Sequence, residues 1–496
     1  MTSQEVLFTT PALDQFFQLA ESYNVIPVIR TLNIFPDPLD LYRKLRSDKP
    51  GFILESAKGG LYSYVGFGSM DELIVKGDAG RNPLTALREF LARPRFYSHP
   101  DLENFPGGPV GFFSYDLVRS IERLPAIAAD RLSLPLIHLV VPEYFVEVNH
   151  QTFSCRIVVM AQLTGGAVDQ VYSTANKLLD QVEEKVRHVV AQQGRGKDYP
   201  DVATEPEVEQ SAKAGNRVAS TTVEAHTTEA EFAEKVTRAI EYIYAGDIFQ
   251  VNLSVRFSDH FQNETLELYQ VLRKINPAPY MAFLDFHDYA VVSSSPELLL
   301  KLQRGELSTR PIAGTRKRGK DEVEDREKVE ELIGNEKERA EHLMLVDLER
   351  NDLGRVCQYG TVQVDEFMSI EKYSHVIHIV SNVRGRLAEG KDVIDAIASL
   401  FPGGTITGAP KVRSMEIIEE LEPERRDIYT GSIGWLGYNG DAELNIAIRT
   451  ILLKDGRAYI QAGAGIVADS VPAFEYKESL RKAEAMFKAL RELKGG

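Results

Sequence analysis

Between residues 191 and 226 the chain reads AQQGRGKDYPDVATEPEVEQSAKAGNRVASTTVEAH, almost without large apolar side chains. Such a segment cannot bury enough surface to offset the entropy of ordering it, so residues 191–227 read as a linker or mobile loop. It divides the 496 residues into two lengths that can each enclose a core: a first lobe over 10–190 and a second over 228–493. The first lobe holds short β-type runs at 25–30, 61–65, 137–148 and 153–160, broken by Gly and Pro, then a helix over 168–190. The second opens at Thr228 with a capping box, the hydroxyl placed to accept from the Glu231 amide while the Glu231 carboxylate reaches back. Phe232, Val236, Ile240 and Ile243 follow at helical spacing, and Gly246 ends the helix. Further β runs lie at 289–293, 433–438, 446–453 and 458–462, with a long helix over 322–347 and a last one over 472–493. The order is mixed, not strictly βαβ, which predicts an α+β fold.

A net charge of −16 argues against a nucleic-acid partner, which needs Lys and Arg in excess to neutralise phosphates. It leaves room for a small anionic ligand, because a local basic pocket or a metal ion reverses the field. No run reaches the roughly 18 apolar residues of a membrane span, and the N-terminus lacks a basic region followed by an apolar one. The expectation is a cytoplasmic protein. Cys155 and Cys357 are the only cysteines, neither on a glycine-flanked elbow, so they read as buried thiols and not as nucleophiles.

Three local patterns carry chemistry. On the last helix, AFEYKESLRKAEAMFKAL, Glu475, Glu478 and Lys482 fall at i, i+3 and i+7 and share a face, with Phe474, Met486, Phe487 and Leu490 assigned to the buried side. Periodicity alone fits a solvated salt-bridge stripe more readily than a site. In ERAEHLMLVDLERND, Glu341 stands beside His342 where the helix turns apolar, and burial there demands a partner. A magnesium ion would serve, as would an ion pair with Arg339 or Arg350. PGGTITGAPK (402–411) and QAGAGIVADS (461–470) are small-residue segments ahead of helices. They suit either tight turns or close approach of backbone N–H groups to an anion, and neither is a nucleotide fingerprint.

Taken together, SSPELLL, TRPIAGTRKRG, ERAEHLMLVDLERNDLGRV, YSHVIHIVSNVRG, GGTITGAPKVRSMEIIEELEP, YTGSIGW and AGAGIVADSVPAFEYKES resemble the chorismate-binding enzymes almost without interruption over 228–490. FILESAKGGLYSYVGFG (52–68) and GGPVGFFSYD (107–116) extend the resemblance more weakly into the first lobe. It implies a large two-lobed, β-sandwich-like α+β core with helices outside, as in anthranilate synthase component I. It further implies that Glu297 of SSPE is the general acid for a departing ring hydroxyl. Glu341 and Glu478 match the family's Mg2+ ligands, with Glu475 beside them. Arg449 and Tyr429 match binders of the substrate carboxylates; Thr405, Gly463, Ala464, Gly465 and Lys482 match further binding positions. His378 of HVIH, on its own an ordinary hydrogen-bonded core histidine, corresponds to the active-site histidine.

Two positions bear on the nucleophile. Members that activate water carry a lysine where this chain has Gln250, and Gln is no general base, so the resemblance points to ammonia. Many aminodeoxychorismate synthases carry a lysine that attacks the ring where this chain has Ala313, as anthranilate synthases lack it. Against that, VNLS (251–254), TITGAPKVR and YTGSIGW resemble aminodeoxychorismate synthases, including a subgroup that also reads PIAGT. The expectation is 4-amino-4-deoxychorismate as product, with anthranilate the alternative and a non-catalytic metabolite-binding paralogue the remote one. Ammonia would come from a separate glutamine amidotransferase subunit. Leu54, Glu55 and Ser56 of FILES, with Pro277, Tyr280 and Met281 of NPAPYM, resemble a tryptophan pocket of relatives, or serve as plain packing.

Overall fold

The structure, a computed structural model, describes residues 9–57, 60–77, 80–193, 223–372 and 376–495. Most of the 191–227 segment lies outside the described residues. Its ends do not: the Val168–Gln193 helix runs into it and a two-residue strand, Glu224–Ala225, leaves it.

Among the described residues, two antiparallel sheets form the body. The larger has thirteen strands, with Gly51–Glu55, Tyr280–Asp285, Tyr289–Ser295, Thr450–Lys454, Arg457–Ile466 and Gln250–His260 in that spatial order at one side. The smaller has ten and runs from Ile312–Lys317 through Val376–Arg386, Glu306–Thr309, Leu298–Gln303, Ala442–Asn445 and Ser432–Leu436 to Val110–Phe113 and beyond. Each sheet draws strands from both sides of the 191–227 segment, so the layers of the molecule do not coincide with the two halves of its sequence. Period-two alternation sorts side chains between layers. Val25, Ile29, Phe52 and Leu284 face the inter-sheet core with Phe112, Val140 and Trp435 of the other sheet. Ile26, Val28 and Ile53 turn the other way, into a core shared with helices that include Pro38–Leu45, Val168–Gln193 and Thr265–Ile275. Helices Pro83–Leu91, Glu336–Gly354 and Val393–Leu400 cover the smaller sheet. The result is an α+β sandwich with helices on its outer faces.

Local sequence accounts for most element ends. The Thr228 hydroxyl accepts from Glu231 N at 3.2 Å and Glu231 Oε2 accepts from Thr228 N at 2.8 Å, while Gly246 takes φ +82° after the helix. The run expected as one strand over 137–148 is two, Ile137–Val141 and Tyr144–Asn149, because Pro142 has no N–H for a ladder. The helix expected over 322–347 is also two, Glu322–Gly334 and Glu336–Gly354. Asn335 adopts an extended ψ of 109° and caps the second by accepting from Glu338 N at 3.1 Å. The run over 446–453 is strand only from Thr450 onward, and the four residues before it cross between sheets.

Candidate active site

Two such crossings build the centre. At Pro296 and Glu297 the chain leaves strand Tyr289–Ser295 of the large sheet for Leu298–Gln303 of the small one. At 446–449 it returns from Ala442–Asn445 to Thr450–Lys454. The crossings are tied together: Ile446 N donates to Glu297 O at 3.0 Å and the Ser295 hydroxyl to Ile446 O at 2.6 Å. Arg449 pays for its place with φ +51°, a left-handed conformation unusual for a side chain of that size, while its carbonyl accepts from Ser294 N at 3.1 Å.

Glu297 is 6% exposed, and its Oε1 is a buried oxygen without a hydrogen-bond partner. Burial pushes its carboxyl up to about 7, against the pull of the Thr405 hydroxyl, the Ile312 amide, Arg449 and Lys482. Gln250 Oε1 and Asn252 Oδ1 are likewise buried and unpartnered. They belong to one neighbourhood, since Asn252 N donates to Thr407 O at 2.8 Å and Arg426 bridges Asn252 O and Ile406 O at 2.7 and 3.0 Å. Native interiors leave few polar atoms unpaired, so a group of them around one acid marks the place of a polar ligand.

The floor is strand Arg457–Ile466 against Gln250–His260, with Gly463 opposite Ser254 and Gly465 opposite Asn252. A Cβ on Gly465 would stand 2.5 Å from Gln250 Nε2, and one on Gly463 2.7 Å from Asn252 Oδ1. Glycine is what allows the two amide side chains to lie across the neighbouring strand. Ala464, between them, is buried.

Helix Pro472–Gly495 closes one side. The Lys482 side chain keeps 46% of its surface accessible, yet its ammonium is surrounded by enough protein that burial lowers it below the usual lysine range. Glu478, Arg449, Glu341 and Glu475, in falling order, act on that ammonium. Three carboxylates from two helices distant in sequence therefore act on one ammonium. Arg449 forms no ion pair among the described residues; burial lowers its guanidinium and Glu297 acts the other way.

Glu341 bonds to neither Arg339 nor Arg350 among the described residues; Arg350 turns to Asp347 at 2.8 Å. Burial raises its carboxyl, Glu338 adds to this, and Lys482, Lys337 and the Gln250 amide oppose it. Hard carboxylate oxygens suit Mg2+, which takes one or two from the protein and the rest from water and ligand. Glu478, however, bridges to the exposed Arg481 at 2.5 Å, and among the described residues no three His, Cys, Asp or Glu side chains close into a metal-holding group. The carboxylate donors fit Mg2+ in kind.

His378, 6% exposed, donates from Nδ1 to Gly314 O at 3.2 Å, which leaves Nε2 as acceptor. Burial, with Arg449 nearby, lowers its pKa. Ala313 is buried on the same strand as Ile312, whose amide reaches Glu297. Tyr429 is buried beneath the Arg426 guanidinium, 5.5 Å from its ring centre. Leu54 and Glu55 pair with Ala282 and Met281, and Ala57 N donates to Ala278 O at 3.2 Å. The FILES and NPAPYM segments therefore adjoin, and the Glu55 carboxylate accepts from Tyr269 at 2.9 Å and Arg273 Nε at 3.1 Å.

One assignment on the last helix is corrected. Phe474 is 63% exposed, and the buried stripe is Tyr476, Ala483, Met486, Ala489 and Leu490. Phe474 lies about half a turn round the helix from the buried Tyr476, Ala483 and Leu490, and so faces solvent. Two acids escaped the sequence reading. Glu338 ion-pairs Arg316 at 2.8 Å one turn before Glu341. Glu349 is 4% exposed, and its signal was present: it lies three and four residues beyond Val346 and Leu345, on the buried stripe of its helix.

Against known proteins, the sequence profile of the family described as chorismate binding enzyme matches residues 49–488. Aminodeoxychorismate synthase component 1 of Bacillus subtilis (strain 168) is 45% identical over 91% of this chain and 94% of its own length. Anthranilate synthase component 1 of Aquifex aeolicus (strain VF5) is 42% identical over 97% of both. Among solved structures, anthranilate synthase component I from Streptococcus pneumoniae TIGR4 superposes with a TM-score of 0.73 at 33% identity, covering 88% of this chain and 94% of that one. The menaquinone-specific isochorismate synthase of Escherichia coli, at 20% identity and TM-score 0.69 over 97% and 99%, shares the fold.

Proposed function

The chain belongs to the chorismate-binding enzyme family, and on that premise we propose that it is the large subunit of an aminating chorismate synthase, forming 4-amino-4-deoxychorismate. The observation that carries the reading is Glu297: a buried carboxyl, unpartnered at Oε1, that keeps its proton near neutral pH beside an Arg449 with no ion-pair partner among the described residues.

Chorismate is a cyclic dicarboxylate with a ring hydroxyl, a poor leaving group until protonated. Arg449 holds a substrate carboxylate by its guanidinium fork, with Lys482 adding positive charge from the facing helix. The Glu297 carboxyl, protonated at rest, gives its proton to the departing hydroxyl oxygen. Gln250 lies where a water-activating base would be needed and cannot serve as one, which leaves ammonia, nucleophilic without a base. His378, with Nδ1–H held by Gly314 O, presents an acceptor. Mg2+ is assigned to Glu341 and Glu478, with Glu475 beside them, and would supply a Lewis-acid anchor for substrate oxygens. A non-catalytic paralogue is disfavoured because Glu297, Glu341 and Glu478 are all retained.

Ammonia is proposed to come from a separate glutamine amidotransferase subunit, as the name component 1 of the relatives suggests. Neither cysteine is a poised nucleophile: burial pushes Cys155 up to about 12 and Cys357 up to about 11. No helix among the described residues is long and apolar enough to cross a membrane, in keeping with the proposed cytoplasmic setting.

Anthranilate is the second reading, favoured by one observation, Ala313 in place of a ring-attacking lysine. Chorismate, Mg2+ and ammonium supplied to this chain alone should give 4-amino-4-deoxychorismate by mass, with glutamine inert until the partner is added. Fluorescent anthranilate formed without an added lyase would overturn the first reading for the second. Arg449→Ala should raise the KM for chorismate by about 30-fold or more, the cost of leaving a buried carboxylate unpaired. A change under about 3-fold in steady-state kinetics would remove Arg449 from substrate binding.

A further inference from the structure

One face of strand Gln250–His260 carries a row of polar side chains. Val251, Leu253 and Val255 enter the core shared with the helices, so alternation turns Gln250, Asn252, Ser254 and Arg256 the other way. Further along the strand this row is saturated. The Ser254 hydroxyl donates to Glu422 Oε1 and accepts from Gln461 Nε2, both at 2.8 Å. Arg256 binds Glu424 at 3.1 Å and Asp427 at 2.9 Å. At the start of the strand the row is open. Asn252 is 7% exposed, and its Oδ1 has no hydrogen-bond partner among the described residues. The Gln250 side chain bonds Glu341, whose carboxylate takes its N–H group, and Oε1 is left over.

Nothing nearby in the chain completes the Asn252 oxygen. The Asn252 main chain is committed, N to Thr407 O at 2.8 Å and O to Arg426 Nη2 at 2.7 Å. The strand against it offers room instead of a donor, since a Cβ on Gly463 would stand 2.7 Å from Oδ1. A buried acceptor left unmade is costly, and a ligand that donates to it recovers that cost. Two neutral acceptors, two residues apart on one face, complement a small group rich in N–H. The chorismate carboxylates only accept, and the ring hydroxyl is the group that Glu297 serves. Ammonia has three N–H bonds, can donate to both oxygens and still keeps its lone pair free.

We infer that Asn252 binds the nitrogen nucleophile: its Oδ1, together with Gln250 Oε1, accepts N–H groups of ammonia beside the ring to be attacked. The inference rests on the reading of the chain as an aminating enzyme and holds for either product, since both carry the new nitrogen. The acceptors bind and orient ammonia, and no proton passes to either of them.

The test is steady-state kinetics of the full chain with ammonium as the sole nitrogen source, varying ammonium and chorismate in turn. Asn252→Leu keeps the size of the side chain and removes the acceptor. Its KM for ammonium should rise about fivefold or more, the effect of one lost hydrogen bond, while that for chorismate changes by less than about twofold. Asn252→Asp keeps an acceptor at the same position and should hold the ammonium KM within about threefold of wild type. Asn252→Ala removes the acceptor with less bulk and decides the matter where Asn252→Leu does not fold. An unchanged ammonium KM without the acceptor would overturn the inference. A rise confined to chorismate, or equal for both reactants, would overturn it too, the first by placing Asn252 against the ring. Wild-type chain that turned chorismate over with water and ignored ammonium would overturn the reading of the reaction itself, an outcome seen without any variant.

Discussion

Glu297→Gln lowers kcat for ammonium-dependent chorismate turnover by about 10²–10⁴-fold, the range for removing a positioned general acid, while chorismate still binds. Gln keeps the size and hydrogen-bonding reach of the side chain and loses only the transferable proton. The same substitution has a stability signature of opposite sense. The Glu297 carboxyl, ordinarily ionised above pH 4.5, holds its proton to about pH 7 in the fold. Between those values the native state binds a proton that the unfolded chain has lost. Stability therefore falls as pH rises through that window and levels off above it. Gln has nothing to ionise, so relative to wild type the variant gains about 3 kcal/mol near pH 8 and nothing near pH 4. Urea unfolding at the two pH values checks this. A variant less stable than wild type at the higher pH would mean that the carboxyl is satisfied as an anion, and its role as resident acid would fall.

Glu478→Gln removes magnesium-dependent turnover, with kcat/KM down by more than about 100-fold and the Mg2+ concentration for half-maximal rate raised in any residual activity. The charge change alone does not explain such a loss. Glu478 already has Arg481 at 2.5 Å, an exposed i,i+3 pair of the kind that contributes little, so removing the carboxylate should leave unfolding nearly unchanged. Calorimetric titration of Mg2+ into the chain with chorismate present separates metal loss from substrate loss. Unaltered activity and metal affinity would remove Glu478 from the metal site and leave it as a surface partner of Arg481.

Much of the fold was legible because short-range rules decide it. The capping box at Thr228, the left-handed glycine at 246 and the period-two runs of the strands depend on neighbours within a few residues. The misjudged boundaries have the same scale: Asn335 caps a second helix inside what looks like one charged run, and Pro142 divides a strand. Phe474 was assigned inward on hydrophobicity, where helical phase places it opposite the buried Tyr476, Ala483 and Leu490.

By itself the sequence determined the family, the residue types available for acid, anion-binding and metal roles, and the absence of a base at Gln250. Tertiary structure decided which of these act on one another. Glu297 and Arg449 are more than 150 residues apart and meet only because the chain changes sheets twice at adjacent points. Glu341 and Lys482 come from helices on different parts of the sandwich. The elevated proton affinity of Glu297 comes from burial, and that of the overlooked Glu349 from burial and from the nearby Asp352 and Glu297 charges. Both are properties of the surrounding volume, and a linear pattern carries no record of it until the sheets have closed.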